Sequence, residues 1–411
     1  MTKKILLLCW IIVCPEICFS QPIYFPETKK EEGLLQLKFE WLTLGAEFES
    51  EFLAHQGDDA FSLQKGGILH TNRQKNRFSV NKLTLIPQFN FKDKIYFYSE
   101  LEAFVNRSEL DDTFFREAHV TFFPLPQLFI KAGLDDRFIS PEFSAENDAA
   151  GDDKRLTEVF PVNGTAFWKD EDVGITIGGN HSYKEKTTFY WRGSYTNGLN
   201  LRHDEITRNQ IYPILHDDRD TSNINIDLNG EKDYGIGIGI RHLLKGDFRF
   251  NVFGFYYNDH LAPTDMEFLR DAINGYNSGK RTHHLVGCNL SFKFPHVDLF
   301  SQFIRARNGT ISRNGFYAEP SLYLTTVQRE FLNGARLLYR INYLNVDVGE
   351  VANVSGNPLL WDRLTHSFGF NIQIHKYVLL RNEFHWNIDE TGGTPADVGN
   401  NEFLSQIEVK F

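Results

Sequence analysis

The chain has 411 residues, of which 41% are hydrophobic, 24% are charged and 14% are aromatic. Its mean hydropathy of −0.36 is too polar for a bundle of membrane helices, and no run of about 18 apolar residues occurs beyond the N-terminus. The formal net charge of −11 argues against non-specific binding to nucleic acid, which needs a basic face. With 37 phenylalanines and only two methionines, the composition favours strands over helices.

The first 20 residues have the features of a secretory signal peptide. Two lysines precede a short apolar run over 5–14, and Ser20 offers a small residue for cleavage. Because the run is short and Pro15 follows it, a membrane anchor is the weaker alternative. We therefore predict that residues 1–20 are removed during export.

The predicted mature chain consists of a short N-terminal segment over 21–34 and a single domain over 35–411. Three of the four cysteines lie in the signal peptide, which leaves Cys288 alone. A single cysteine forms no internal disulfide, so the exported chain must be stabilised by other means.

Alternation of apolar and polar side chains with period two is the main pattern of this domain. In 234–242 isoleucines alternate with glycines, and 364–376 and 377–388 mostly alternate apolar with polar residues. Less regular versions of the pattern occur at 76–91, 94–106, 281–294 and 333–347. These segments span about 9–14 residues, the length at which a tilted strand crosses a bilayer.

The connections between the predicted strands alternate in length. Short turns are predicted at 92–93, 124–125, 182–185, 244–246, 295, 327–332 and 376–377. Longer polar segments are predicted at 55–75, 107–112, 135–171, 197–232, 259–280, 307–312, 348–362 and 389–401. About sixteen strands fit between these connections, and this even number places both ends of the domain on the rim of short turns. The stretch 222–229 is interpreted as loop or as an extension of a strand, because a separate strand there would give seventeen and break the alternation.

Half-buried strands of soluble sandwiches also alternate, so two further features decide the fold class. The polar faces carry full charges, such as Glu100 and Arg336, which a wide lumen tolerates, and the connections alternate between short and long. Lipid cannot satisfy backbone polar groups, so strands cross a membrane only as a closed barrel. We therefore predict an all-β fold: a transmembrane up-and-down antiparallel β-barrel of about sixteen strands, with long extracellular loops and short periplasmic turns.

The strand that closes this barrel is predicted at 402–411. The side chains expected to face outer-membrane lipid are Phe403, Ile407, Val409 and Phe411, and those expected to face the lumen are Glu402, Gln406, Glu408 and Lys410. Aromatic residues near strand ends should form the girdles at the two membrane interfaces, among them Tyr96, Tyr98, Phe122, Phe123, Tyr377 and Trp386.

Strand parity also predicts which charged side chains line the inner wall. The candidates are Lys82, Glu100, Glu102, Glu117, Lys131, Arg192, Arg241, Arg336, Arg340, Arg381 and Glu383. They could form an electrostatic track for a charged solute, or a wall of cross-strand ion pairs that stiffens the barrel, and the mixed signs suit both. The glycines of 235–239 should make room on this wall, and Cys288 should face lipid.

Other chemistry finds little support in the sequence. His283 and His284 are adjacent, so in a regular strand they point to opposite faces and cannot share one metal. Without a nucleophile, phosphate-loop or zinc-protease motif, we expect no cofactor. An outer-membrane enzyme with scattered catalytic residues and an adhesin-like barrel with binding loops are the alternatives. A loop metal site is less favoured than a solvated acidic loop; its ligands would be His203, Asp204, His216, Asp217 and Asp218.

The sequence resembles the outer-membrane porins of Gram-negative bacteria in its signal peptide, its alternating strands and its terminal aromatic strand. A narrower similarity, to the phosphate-selective porin O and P family, lies in 78–104, 129–143 and 170–179. The resemblance implies a passive channel for small hydrophilic solutes, including anions such as phosphate, and a homotrimer. It also implies that the barrel-assembly machinery recognises the last strand through Ile407, Val409 and Phe411.

The resemblance further implies that the third outer loop, 135–171, folds into the lumen and narrows it. Its constriction candidates are Arg137, Glu142, Asp152, Asp153, Lys154 and Arg155. The loop departs from the family's pattern, because it holds ten acidic and only four basic residues. A phosphate-selective pore should present basic residues at its constriction, so this composition disfavours phosphate selectivity.

Overall fold

The structure is a computed structural model, and its described part consists mainly of one antiparallel sheet. It describes residues 37–38, 41–55, 60–64, 67–71, 76–103, 113–136, 138, 171–184, 186–197, 232–244, 248–272, 277–324, 334–347, 362–375, 377–390, 397–398 and 401–410. The predicted signal peptide, the segment 21–34, the stretch 222–229 and Phe411 lie outside these residues.

The described residues form sixteen long strands, as the alternation predicts. They are β1 (Leu42–His55), β2 (Asn76–Phe91), β3 (Ile95–Ala103), β4 (Thr113–Leu125), β5 (Leu128–Asp136), β6 (Glu171–Tyr183), β7 (Thr187–Thr196), β8 (Asp233–Leu243), β9 (Arg249–His260), β10 (Thr282–Lys293), β11 (Val297–Asn308), β12 (Ile311–Tyr323), β13 (Gly334–Asp347), β14 (Asp362–His375), β15 (Val378–Glu390) and β16 (Glu402–Lys410). Each strand pairs with the next one in the chain. Strands of 9 to 16 residues are long enough to cross a bilayer when tilted.

The sheet closes on itself through β16. This strand pairs with β15 on one side and with β1 on the other, where Val409 faces Phe48 and Phe403 faces Ala54. Because every long strand has a hydrogen-bonded neighbour on both sides, no long strand is left as a free edge. The described residues therefore form a closed up-and-down barrel.

In the described part of the chain, a few short strands and one helix lie outside the sixteen long strands. The hairpin Ala60–Gln64 with Gly67–Thr71 lies between β1 and β2, while Leu37–Lys38 pairs with β1 and Asp397–Val398 with β15. Between β9 and β10 lies the helix α1 (Pro263–Ala272). Among the described residues there is no helix both long enough and apolar enough to cross a membrane.

The N-terminal end of α1 follows from its sequence. Pro263 occupies the first helical position, where its missing N–H would in any case have no partner inside the helix. The carboxylate of Asp265, the third helical residue, accepts a hydrogen bond from the backbone N–H of the N-cap residue Ala262 at 2.7 Å, which is one of the two hydrogen bonds of a capping box.

The short turns that the structure describes fall within a few residues of their predicted positions. The first lies at 92–94, and the second is at 126–127 rather than 124–125. In the first turn Lys92 and Asp93 have φ angles of 53° and 54°, the mirror-image geometry that suits a tight hairpin. Asn90 supports it, because its side-chain oxygen accepts a hydrogen bond from the N–H of Asp93 at 3.1 Å.

One connection on the opposite rim is shorter than predicted. The segment 307–312 was expected to be one of the longer polar connections, but β11 continues to Asn308 and β12 begins at Ile311. Only Gly309 and Thr310 remain as a turn, and Gly309 has a φ of 65°, which favours glycine. The strict alternation of short and long connections therefore fails at this position, although the strand count is unaffected.

The two faces of the barrel differ in chemistry. Along β8, Ile236 and Ile238 point outward, and Ile238 is 64% exposed. Along β15, Arg381 and Glu383 point inward and are buried. Exposed apolar side chains outside and buried charged side chains inside reverse the arrangement of a water-soluble domain. The fold is thus the transmembrane barrel that the sequence predicts.

The girdle prediction was wrong for three aromatic residues of β3 and β4. Tyr96 and Tyr98 point inward and are buried, and Phe123 packs against them together with Ile86. Tyr96 and Tyr98 share the parity of Glu100 on β3, and the Glu100 carboxylate accepts a hydrogen bond from the Tyr98 hydroxyl. Whether these side chains point outward or inward is therefore set by their odd or even position in the strand, and not by their size or by their nearness to a strand end.

Other aromatic residues do form an outward belt. Phe303, Phe316 and Tyr343 are directly opposite one another across β11, β12 and β13, and all three are exposed. Phe122 and Trp386 are also exposed, as predicted. A belt of this kind is typical of the level at which a membrane barrel meets the lipid headgroups.

Candidate functional site: the inner wall of the barrel

The structure places most of the predicted pore-lining residues on the inner face. Those that are buried there are Glu100, Glu117, Lys131, Arg336, Arg340, Arg381 and Glu383, while Arg192 and Arg241 are half-buried. Lys82 and Glu102 lie in β2 and β3, but their side chains are outside the described residues, as are the constriction candidates Arg137, Glu142, Asp152, Asp153, Lys154 and Arg155.

Three inward arginines make ion pairs with acidic residues of other strands. The Arg340 guanidinium contacts Glu319, with Nε donating to Oε2 at 2.6 Å. Arg336 pairs with Asp298, which lies two strands away. The third pair joins Arg381 of β15 to Glu408 of β16. For these arginines the geometry is that of cross-strand pairing, which was one of the two alternatives for this wall.

The pair on β15 and β16 lies beside the seam that closes the barrel. Arg381 Nη2 lies 2.7 Å from Glu408 Oε2, and Nη1 donates to the Gln406 side-chain oxygen at 3.0 Å. Both acceptors belong to β16, which in turn pairs with β1. A charge-assisted, two-point contact therefore holds the closing strand to its neighbour from inside.

Asp298 and Glu319 were not among the sequence-based candidates. Strand β11 carries Phe300 and Ile304 on the same inner face as Asp298, and both are buried. An inner face that mixes acids with large apolar side chains does not show the simple alternation used to assign faces. Glu319 could have been found from its position opposite Arg340 of the adjacent strand β13. That position is known only once the register of the two strands is known.

Aromatic rings cover glycines on the inner wall of β8. Gly235, Gly237 and Gly239 face Tyr257, Phe253 and Tyr190 respectively, and a Cβ atom added at any of the three would overlap the ring. The expectation that these glycines make room on the inner wall is thus confirmed. The rings also stack on one another, with the centroids of Tyr190 and Phe253 at 5.4 Å.

The chain after β5 begins by turning towards this aromatic wall. Phe138 is only 2% exposed, and its ring centroid lies 4.9 Å from that of Tyr257 and 6.0 Å from that of Phe253. Its backbone N–H donates to the Tyr257 hydroxyl at 3.2 Å. Since Phe138 follows β5 and both tyrosine and phenylalanine belong to β9, this contact joins parts of the wall that are four strands apart.

One group on the inner wall has the composition of a hydrolase triad. Ser367 Oγ lies 2.8 Å from His385 Nδ1, and His385 Nε2 lies 3.3 Å from Glu383 Oε2. Ser367 and His385 are direct cross-strand partners on β14 and β15. All three residues are 1% exposed, so the serine oxygen is covered and a substrate would have no access to it in this arrangement. The geometry supports a hydrogen-bonded wall network.

Another group could hold a metal ion. Glu117, His119 and Asp135 on β4 and β5 offer ligand atoms that lie within 4.8 Å of one another. Lys131 Nζ lies 2.9 Å from Asp135 Oδ1, so a protein cation already interacts with this carboxylate. The loop histidines and aspartates of 203–218, considered from the sequence, lie outside the described residues.

Comparisons with known proteins bear on the fold. No protein-family model matches the chain, and no curated protein matches it. Among solved structures, the outer membrane channel DcaP of Acinetobacter baumannii aligns with a TM-score of 0.55 at 10% identity, over 90% of this chain and 97% of that chain.

Two further structures align over similar lengths. The anion-selective porin from Comamonas acidovorans has a TM-score of 0.54 at 11% identity, over 90% of this chain and 99% of that chain. OmpT, an outer membrane protein of Vibrio cholerae in a trimer form, has a TM-score of 0.50 at 10% identity, over 90% of this chain and 99% of that chain. At these identities the likeness shows the fold, a porin-type barrel.

Proposed function

We propose that this protein is a porin in the outer membrane of a Gram-negative bacterium, a passive diffusion channel for small hydrophilic solutes. The observation that carries the proposal is the closed barrel of sixteen strands with an apolar outer face and a charged inner face. A solute would cross down its own gradient, with water and polar side chains along its path. The protein would reach this membrane after export and removal of residues 1–20.

The third outer loop is proposed to narrow the lumen. The contact of Phe138 with Tyr257 supports this role, because it directs the start of the loop across the inner face. The constriction would then be formed by charged residues further along the loop. We propose Arg137, Glu142, Asp152, Asp153, Lys154 and Arg155 for this position.

The finer hypothesis of anion passage, with phosphate among the solutes, depends on net positive charge along the path. The acid partners of Arg336, Arg340 and Arg381 offset much of their charge. The loop 135–171 adds more acids than bases. We therefore propose a channel with little preference between small anions and cations.

Assembly is proposed to follow the pattern implied by the porin-type fold. The barrel-assembly machinery would recognise the last strand through Ile407, Val409 and Phe411 during insertion into lipid. A homotrimer is proposed as well, supported by the trimer form of the Vibrio cholerae protein.

Conductance in a planar bilayer tests the proposed function. Insertion of the purified protein should produce discrete current steps, and the reversal potential in a KCl gradient should lie close to zero. An enzyme or an adhesin-like barrel with a filled lumen should give no steps, so their absence would contradict the proposal. Swelling of liposomes in sugars, amino acids and phosphate would then rank the solutes.

A further inference from the structure

The outward face of β11 changes character towards the rim of long connections. Its outward positions as far as Phe303, a member of the aromatic belt, are apolar except for Ser301, and the next two are Arg305 and Arg307, both exposed. Successive residues on one face of a strand are about 7 Å apart along it. The two guanidinium groups therefore lie just beyond the aromatic belt, at the level where headgroups would meet the barrel.

Neither arginine has an ion pair in the part of the chain that the structure describes. The side-chain contact of Arg307 is a hydrogen bond from Nε to the carbonyl oxygen of Gly309 at 3.3 Å. Ser312 of β12 is directly opposite Arg307, and Asp347 of β13 is directly opposite Ser312. The Asp347 carboxylate is therefore two strands, or about 10 Å, from Arg307. The inward residues Arg336, Arg340 and Arg381 differ, because acidic residues contact them.

Three of the four residues directly opposite the two arginines carry hydrogen-bonding side chains, and the fourth, Val286, is apolar. His284 is directly opposite Arg307 on β10, and Asn314 is directly opposite Arg305 on β12. Adjacent His283 is buried on the inner face, so His284 projects from the outer face with the arginines. Two guanidinium groups, one imidazole and one amide thus lie together on three adjacent strands.

We propose that Arg305, Arg307 and His284 bind the phosphate of a lipid headgroup in the outer leaflet. The inference rests on the proposed membrane location. The guanidinium group forms paired hydrogen bonds with phosphate oxygens, and such bonds strengthen where lipid excludes water. A lipid is the occupant because these side chains point away from the lumen and lie beside an exposed apolar belt, so a phosphate anchored in the membrane is their nearest anionic partner.

Lipid retention by the detergent-solubilised protein tests this site. Native mass spectrometry would compare bis-phosphorylated lipid A with the same lipid after its phosphates have been removed. We expect at least a fivefold preference for the phosphorylated form, and we expect Arg305→Gln with Arg307→Gln to reduce that preference to less than twofold. Arg305→Lys with Arg307→Lys should retain part of it, because the charge remains while the paired geometry is lost.

A matched control removes charge from the other rim. Lys92→Gln with Lys94→Gln changes two exposed lysines at the first short turn and should leave lipid retention unchanged. Equal retention by the wild type and the double glutamine variant, with both folded, would overturn the proposal. Channel conductance of the same variants separates the two hypotheses: steps without phosphate-dependent retention would reject the lipid site alone, and retention without steps would reject the channel alone.

Discussion

Arg340 illustrates how a charged side chain is accommodated in this wall. It is buried on the inner face, and Glu319 on the adjacent strand supplies the opposite charge. A buried ion pair adds little net stability, because removing two charges from water costs about as much as their attraction returns. Removing one partner has a larger effect, since the other charge stays buried.

Glu319→Gln should therefore lower the free energy of unfolding by about 3 kcal/mol. It should also shift the reversal potential towards anions, because the positive charge of Arg340 loses an acid that offsets it. Urea unfolding of the solubilised protein measures the first effect, and bilayer recordings in a KCl gradient measure the second.

The control for this variant removes both charges. Glu319→Leu with Arg340→Met replaces the pair by apolar side chains of similar size and should recover most of the lost stability. Its reversal potential should return towards that of the wild type. If Glu319→Gln alone matches the wild type in both measurements, the pair contributes to neither stability nor selectivity.

At the scale of elements, β8 is adapted to the rings of its two neighbours. Tyr190 of β7 lies over Gly239, and Phe253 of β9 lies over Gly237. Glycine within a strand usually marks a place where another group approaches the backbone closely. The cost of three glycines in one strand is offset here by the contact area of the rings that cover them.

Gly237→Ala should destabilise the barrel by about 1–3 kcal/mol, because the new methyl group overlaps Phe253 and the core must adjust. Gly254→Ala provides a matched control on β9, since the nearest atom to its added Cβ is the Gly287 carbonyl oxygen at 3.9 Å. Urea unfolding of both variants should separate them clearly. Equal stabilities would mean that the ring over Gly237 moves aside at no cost.

The element that joins β5 to β6 gives a second prediction. Phe138→Ala removes the ring that packs against Phe253 and Tyr257, so the start of the third loop should lose its contact with the far wall. We expect single-channel conductance to rise by a factor of about two or to fluctuate between levels, as a less restricted lumen would allow.

Phe122→Ala is the control for this loop prediction. Phe122 is an exposed aromatic residue on the outer face of β4, so its removal should leave conductance unchanged. Unchanged conductance in both variants would show that the contact of Phe138 does not control the width of the path.

For the molecule as a whole, the sequence predicts what depends on short segments. Strand number, most strand faces and the positions of the short turns follow from period-two alternation and local turn chemistry. The two-residue turn at Gly309 and Thr310 was not predicted, because polar residues of β11 and β12 beyond the aromatic belt resemble a loop. The inward direction of Tyr96 and Tyr98 was missed because large aromatic side chains suggested a membrane interface.

The inner-wall contacts could not be predicted in the same way. The pairing of Arg336 with Asp298 joins residues 38 positions apart, and the contact of Phe138 with Tyr257 joins residues 119 positions apart. Such contacts depend on the register of several consecutive hairpins and on the curvature of the closed sheet. The alternation of residues within one strand predicts neither the register between strands nor the curvature of the sheet.

Closure of the barrel is the property on which every larger inference depends, and cysteine pairs can test it. In a Cys288→Ser background, Ala54→Cys with Phe403→Cys places two thiols on directly opposite residues of β1 and β16. Cross-strand neighbours lie within the Cα separation that a disulfide requires. We therefore expect rapid oxidation to an intramolecular disulfide, seen as faster migration of the denatured, non-reduced protein.

Two further pairs make the result specific to the seam. Phe384→Cys with Phe403→Cys joins opposite residues of β15 and β16 and should also oxidise. Ala54→Cys with Phe384→Cys should not, because β16 lies between the two residues and separates them by about 10 Å. Oxidation of the β15–β16 pair without oxidation of the β1–β16 pair would show an open sheet. An open sheet would leave the backbone groups on one edge of β1 and one edge of β16 without partners in lipid, and the proposed channel would then have no continuous wall.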